Sequence, residues 1–128
     1  MSESFVLDSS ALLALINNEA GALSVEPLIS QSIISAINFA ETLSILERHG
    51  IKTKEGAHLL RSMIKDIIPF TTEHAIISSE IYLSCQLKGL SLGDRACLAL
   101  GLSENLPVVT ADRAWKDLSL NLEIRCIR

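Results

Sequence analysis

Residues 5–16 read FVLDSSALLALI, and the fold is decided here. Phe5–Leu7 is a short unbroken apolar run, the pattern of a strand buried on both faces. Asp8 ends it, and Ser9–Asn17 continues with the apolar spacing of a helix. A strand that stops on an acid and turns at once into a helix is the opening half of a β–α unit. The same order returns in PVVTADRAWKDL, where Val108–Thr110 reads as a strand, Asp112 follows, and Ala114–Leu118 reads as a short helix.

Between these ends, strands and helices keep alternating. A second helix starts at Gly21 and closes near Pro27, and Ser32–Ser35 is a strand. Asn38–His49 is a helix stopped by Gly50. Thr53 caps the next helix, which carries Glu55 in its first turn and Ile67 near its end. Ile67–Phe70 contains Pro69 and so suits an edge strand. Thr72–Lys88 reads as one long helix ending at Gly89, Asp94–Glu104 as another closed by Asn105 and Pro107, and Leu122–Ile127 as a last strand. The alternation predicts an α/β sandwich with a mainly parallel central sheet, built as a single domain over residues 1–128.

Composition narrows the function classes. Hydrophobic residues make up 48% of the 128 and charged ones 20%, which excludes a disordered chain. The mean hydropathy of +0.36 predicts a core rich in Leu, Ile and Ala together with some apolar surface covered by another chain. No run is long enough to span a membrane, and the acidic start MSESFVLD does not have the pattern of a signal peptide. Cys85, Cys97 and Cys126 are odd in number and lack CxxC spacing, so they read as reduced thiols of a cytoplasmic protein. The net charge of −4 argues against a general nucleic-acid coat.

Four acids stand at strand ends or on apolar helix rows: Asp8, Glu41, Asp94 and Asp112. Ligands of a parallel α/β sheet bind outside the carboxyl ends of its strands, where Asp8 and Asp112 belong. Asp94 is in line with Cys97, Leu98, Gly101 and Leu102, the buried row of its helix. Glu41 is four residues from both Ile37 and Ile45, also on an apolar row. Carboxylates brought together raise one another's pKa unless a cation compensates. An all-oxygen set of this kind suits one or two Mg²⁺ or Mn²⁺ ions, which activate water and stabilise both oxygens of an in-line phosphoryl displacement. Each acid taken alone has a structural alternative. Asp8 and Asp112 suit N-caps and Asp94 suits the start of its helix, whereas a mid-helix Glu41 has no capping role.

The segments VLDSSALLAL, SAINFAE, LSLGDRACLALGL and LPVVTADRAW, in this order and spacing, resemble the PIN-domain nucleases, and most closely the toxins of VapBC-type toxin–antitoxin pairs. The resemblance covers the whole chain. It implies a three-layer α/β/α fold, a metal-dependent endoribonuclease activity and a site made of Asp8, Glu41, Asp94 and Asp112. It also implies a homodimer, a small antitoxin partner and an RNA substrate. Thr110 matches a Ser/Thr used beside the last acid, and Ser10 and Asn38 are supporting candidates that also suit helix starts. Arg95 and Arg113, each next to an acid, are candidates to hold an RNA phosphate.

Other features weigh less. Arg48, His49, Lys52, Lys54, His58, Arg61 and Lys65 form the one concentration of base, read first as a solvated face and second as a phosphate contact. His49, His58 and His74 sit among polar neighbours without ligand spacing. Asp117 reads first as part of a solvated helix face and second as an extra acid near the site. Trp115 and Tyr82 read as core or interface packing ahead of base stacking. A haloacid-dehalogenase-type phosphatase needs a second Asp two residues after the first, where Ser10 stands. A non-catalytic interaction module whose acids are helix caps, and a PIN nuclease acting on DNA, remain as alternatives.

Overall fold

The structure is a computed structural model that describes residues 3–128; the first two residues of the opening stretch lie outside the described residues. Five strands, β1 (Phe5–Leu7), β2 (Ser32–Ser35), β3 (Asp66–Ile68), β4 (Val108–Thr110) and β5 (Ile124–Cys126), form one sheet in the order β3-β2-β1-β4-β5. Every pairing is parallel. The chain therefore runs outward from β1 to one edge, returns, and continues from the other side of β1. The switch point falls between β1 and β4, where ligand crevices open in such sheets.

Successive strand residues send side chains to opposite faces, and the two cores follow that alternation. Phe5, Leu7, Ile34 and Val109 pack with Leu12, Val25, Leu43 and Leu60 on one face. This layer is made by helices α1 (Ser9–Ile16), α2 (Ala22–Val25), α3 (Ala36–Arg48) and α4 (Thr53–Met63). Val6, Ile33 and Val108 pack with Ile81, Cys85, Leu98, Leu100 and Trp115 on the other. That layer contains α5 (Thr72–Glu80), α6 (Tyr82–Gln86) and α7 (Leu92–Glu104), with a 3-10 turn over Arg113–Asp117. The result is a three-layer α/β/α sandwich. Gly101 lets α7 lie close on the sheet, because a Cβ there would stand 2.5 Å from Val108 Cγ2.

Several boundaries differ from the sequence reading. The segment 72–88 is two helices, since Ile81 (φ −89°, ψ 2°) leaves helical geometry. The bend turns Ile81 and Cys85 into the core while Leu83 and Leu87 stay exposed. Helix α3 begins two residues before Asn38, with Ser35 accepting from the amide of Ile37. Helix α7 begins before Asp94, capped by Ser91. Lys52, not Thr53, occupies the N-cap position of α4, and Thr53 instead donates its amide and hydroxyl to Glu47. That helix ends at Met63, so Ile67 belongs to the edge strand β3, which Pro69 follows. Helix α2 runs on past Pro27 as a 3-10 segment, Glu26–Gln31.

Candidate active site

Asp8, Glu41, Asp94 and Asp112 line one cavity of about 280 Å³, together with Ser9, Ser10, Leu13 and Ile45. Four different elements deliver them. Asp8 leaves β1 and Asp112 follows β4, so these two flank the switch point. Glu41 comes from the second turn of α3 and Asp94 from the first turn of α7. A larger cavity, about 410 Å³ between Asn105 and Glu123, opens at the amino ends of β4 and β5, away from these acids.

Asp8 is 4% exposed, and although it occupies the N-cap position of α1 its side chain makes no capping bond. Its Oδ2 accepts instead from Ser10 Oγ at 2.6 Å and Thr110 Oγ1 at 3.0 Å. Ser10 in turn accepts from the amide of Ala111, and Thr110 from the amide of Asp112. The loop after β4 is thereby tied to the carboxylate after β1. Glu41 Oε1 accepts from Ser9 Oγ at 2.9 Å and from Asn38 Nδ2 at 3.0 Å. Asn38, fully buried, shares that amide with the carbonyl of Gly93.

The capping alternatives hold for two of the acids. Asp94 Oδ2 accepts from the amide of Ser91, whose hydroxyl accepts from the amide of Asp94, a reciprocal capping box. Asp112, exposed to solvent, caps the 3-10 turn through Oδ1, which accepts from the amide of Ala114. Each cap occupies one oxygen. Among the described residues, Asp8 Oδ1, Glu41 Oε2, Asp94 Oδ1 and Asp112 Oδ2 have no hydrogen-bond donor, and no salt bridge reaches any of the four acids.

The electrostatics follow from that shortage of positive charge. Burial pushes the Asp8 carboxyl up from 3.8 to about 6. The hydrogen bonds from Ser10 and Thr110 oppose the rise, and the charges of Asp94 and Glu41 add to it. Asp94 is raised by burial first and by Glu41 and Asp112 after it, against the hydrogen bonds from Ser91. The buried Cys97 thiol beneath the site is raised well above its ordinary range by burial and then by Asp8, Asp94 and Glu41. It is inert as a nucleophile.

Among the described residues, no group of three Asp, Glu, His or Cys side chains stands ready-formed around a point that would hold an ion. The carboxylates line a common cavity without converging, an open spacing that like-charge repulsion favours. The donor chemistry nonetheless fits a hard divalent cation. The available atoms are carboxylate oxygens, with neither imidazole nor a reactive thiolate among them.

The remaining candidates lie elsewhere. Arg95 is half-buried, donates through Nη1 to the carbonyl of Ser78 at 2.9 Å and stacks 5.1 Å from the centre of the Tyr82 ring. It does not line the cavity, because its position on α7 turns it toward α5. Arg113 donates to the carbonyl of Arg128 and also stands outside the lining. Tyr82 is partly exposed, Trp115 is fully buried, and His74 is buried beside Phe70 instead of lying among polar neighbours. Arg48, His49, Lys52, Lys54, His58, Arg61 and Lys65 are all exposed to solvent, and Asp117 pairs loosely with Lys88 at the surface. Ser9 and Gly93 were not singled out from sequence. Ser91-x-x-Asp94 carried a readable capping signal, whereas the contact of Gly93 with Glu41 depends on how α3 and α7 meet.

Residues 5–120 match the PIN domain family, and the chain belongs to it. No curated protein is similar enough in sequence to count as a relative. The fold is shared with solved structures of low sequence identity. A toxin–antitoxin complex from Klebsiella pneumoniae has a chain with TM-score 0.77 and 21% identity, covering 98% of both chains. The DNA-bound VapBC of Salmonella typhimurium gives 0.73 and 18%, covering 99% of this chain and 100% of that one. The sarcin–ricin-loop-cleaving toxin VapC20 of Mycobacterium tuberculosis gives 0.73 and 18%, covering 90% and 96%.

Proposed function

We propose that this protein is a divalent-metal-dependent endoribonuclease and the toxin of a toxin–antitoxin pair. The observation that carries this reading is the set of four carboxylate oxygens without donors around one cavity at the switch point of a PIN domain. An RNA backbone is anionic and would be repelled by that field, so a cation has to enter before substrate can. Asp8, Glu41, Asp94 and Asp112 are the residues that would hold Mg²⁺ or Mn²⁺. Such an ion, when bound, lowers the pKa of water and stabilises charge developing on a phosphodiester.

The chain's own groups have separate duties in this scheme. Ser10 and Thr110 fix one oxygen of Asp8 and leave the other without a donor, so that it would be free to hold the ion. Ser9 and Asn38 do the same for Glu41. The nucleophile is water. The hydroxyls of Ser9, Ser10 and Thr110 are all committed as donors to carboxylates or a carbonyl, and no histidine lines the cavity.

The antitoxin and a homodimer are proposed as partners. The antitoxin is supported by the toxin–antitoxin complex in which a similar chain occurs, and the homodimer by the exposed Ile76, Leu83, Leu87 and Leu92 on and beside α5–α7. Among the described residues no helix is long and apolar enough to cross a membrane, and the cytoplasm is the proposed compartment.

The test is cleavage of labelled transfer RNA, messenger RNA and single-stranded DNA by antitoxin-free protein in Mn²⁺ or Mg²⁺. Discrete RNA cuts that vanish with chelator and in Asp8→Asn support the proposal. Cuts that persist in Asp8→Asn mark a contaminant, and cuts confined to DNA move the substrate. The capping bonds of Asp94 and Asp112 favour a second reading, an interaction module without catalysis. It predicts no cleavage and a melting temperature indifferent to Mn²⁺.

A further inference from the structure

A glycine inside a helix lowers stability relative to alanine, so its presence calls for a reason. Gly93 is the second residue of α7, and its backbone is not in the left-handed region, which among the glycines holds only Gly21, Gly50 and Gly89. Backbone conformation therefore does not require it. Space does. A Cβ on Gly93 would stand 2.5 Å from Glu41 Cδ and 2.7 Å from Glu41 Oε1, with Oε2 closer still. The carboxylate of Glu41 fills the volume that any side chain at this position would take. On its other side, Ser9 and Asn38 donate to Oε1, and Asn38 also bonds the Gly93 carbonyl. The Oδ1 of Asn38 is buried without a partner, so the amide is oriented by its two donor bonds even though its own acceptor is left unsatisfied.

We propose that Gly93 is a positioning residue of the acidic site: its bare Cα is the seat of the Glu41 carboxylate, and Ser9 and Asn38 hold the carboxylate in that seat. This rests on reading the four acids as a metal site. Gly93 touches no substrate in this scheme and acts only through Glu41. Substituting it displaces the Glu41 head from the cavity wall while leaving Asp8 and Asp94 in place.

The test is a double-mutant cycle of Gly93→Ala and Glu41→Ala, read by metal-free melting and by Mn²⁺ titration calorimetry. With Glu41 present, Gly93→Ala lowers the melting temperature. With Glu41→Ala, the same change leaves it unaltered or raises it, because the clash is gone and alanine favours the helix. Gly93→Ala weakens Mn²⁺ binding by about tenfold or more, the scale of losing a ligand's support. Added to Glu41→Ala it weakens binding no further. If Gly93→Ala alone fails to fold and the double variant folds, the seat is supported. An equal loss of melting temperature in both backgrounds, failure of both to fold, or unaltered Mn²⁺ affinity in Gly93→Ala overturns the proposal. Absence of Mn²⁺ binding by the unsubstituted protein overturns the metal reading, while the melting cycle still decides the seat.

Discussion

Thr110, the last residue of β4, donates its hydroxyl to Oδ2 of Asp8 at 3.0 Å, joining the ends of the two strands between which the sheet's connections reverse. Thr110 Oγ1 in turn accepts from the amide of Asp112 at 3.1 Å. One hydroxyl thus aligns two acids at once, and it is fully buried. Thr110→Val keeps the shape and removes both bonds. It is expected to cost about 1–3 kcal/mol in urea unfolding, the range for leaving buried polar groups unsatisfied. It should also reduce cleavage. Thr110→Ser, which keeps the hydroxyl, should recover most of both. A loss in Thr110→Ser with none in Thr110→Val would show that the methyl group, not the hydroxyl, matters.

Metal-free stability should fall as pH rises. The Asp8 carboxyl is raised from 3.8 to about 6, so the folded state holds its proton more tightly than the unfolded one. Its stabilising contribution is whole below pH 3.8 and is lost as pH rises through about 6. The loss is about 3 kcal/mol by linkage, as an upper figure. Asp94 is shifted in the same direction. Asp8→Asn removes the term while still accepting from Ser10 and Thr110. Without metal, the variant should therefore be more stable than the unsubstituted protein at pH 8 and no more stable near pH 4. Saturating Mn²⁺ should reverse the order at pH 8, since an ion bound at a thousand times its Kd adds about 4 kcal/mol. Chemical denaturation at the two pH values, with and without Mn²⁺, gives all four comparisons.

Strands β1, β2 and β4 were legible to the residue, because short apolar runs between turn signals leave little choice of boundary. The break at Ile81 was not. Apolar spacing continues across it, and only the core shows that Ile81 and Cys85 turn inward together. Helices α3 and α7 each start two residues before Asn38 and Asp94, because Ser35 and Ser91 are their caps and the apolar spacing does not mark a cap. At the site, the gathering of Asp8 and Asp112 follows from their places after β1 and β4. The bonds from Ser9 to Glu41 and from Asn38 to Gly93 span 32 and 55 residues of sequence, and no local pattern encodes them. The exposure of Asp112 was equally hidden, since a residue after a buried strand can face either way.

Asp94 has two duties that substitution can separate. Its Oδ2 closes the capping box with Ser91, while Oδ1 is free among the described residues. Ser91→Ala removes the cap and should cost about 1 kcal/mol with little effect on Mn²⁺ binding. Asp94→Asn retains an acceptor for the Ser91 amide but loses the charge. It should unfold within about 1 kcal/mol of the unsubstituted protein in the absence of metal, and bind Mn²⁺ far more weakly. If instead both substitutions cost the same stability and neither alters the response to Mn²⁺, Asp94 is a cap and the interaction-module reading gains.

Arg95 is expected to behave as a fastening between helices and not as a phosphate contact. Its guanidinium donates to the Ser78 carbonyl of α5 and stacks on Tyr82 of α6, while Ser78 Oγ donates back to the Arg95 carbonyl. With its head so engaged, it lies outside the cavity wall that holds the neighbouring Asp94. Arg95→Ala should lower stability by about 1–2 kcal/mol through the lost hydrogen bond and ring contact. The apparent KM for RNA and its dependence on salt should stay close to those of the unsubstituted protein. Removing a residue that neutralises a phosphate flattens the salt dependence of binding by nearly one ion. Binding measured across a salt series for Arg95→Ala therefore separates the two roles: an unaltered slope with reduced stability supports the fastening, and a flattened slope assigns Arg95 to the substrate.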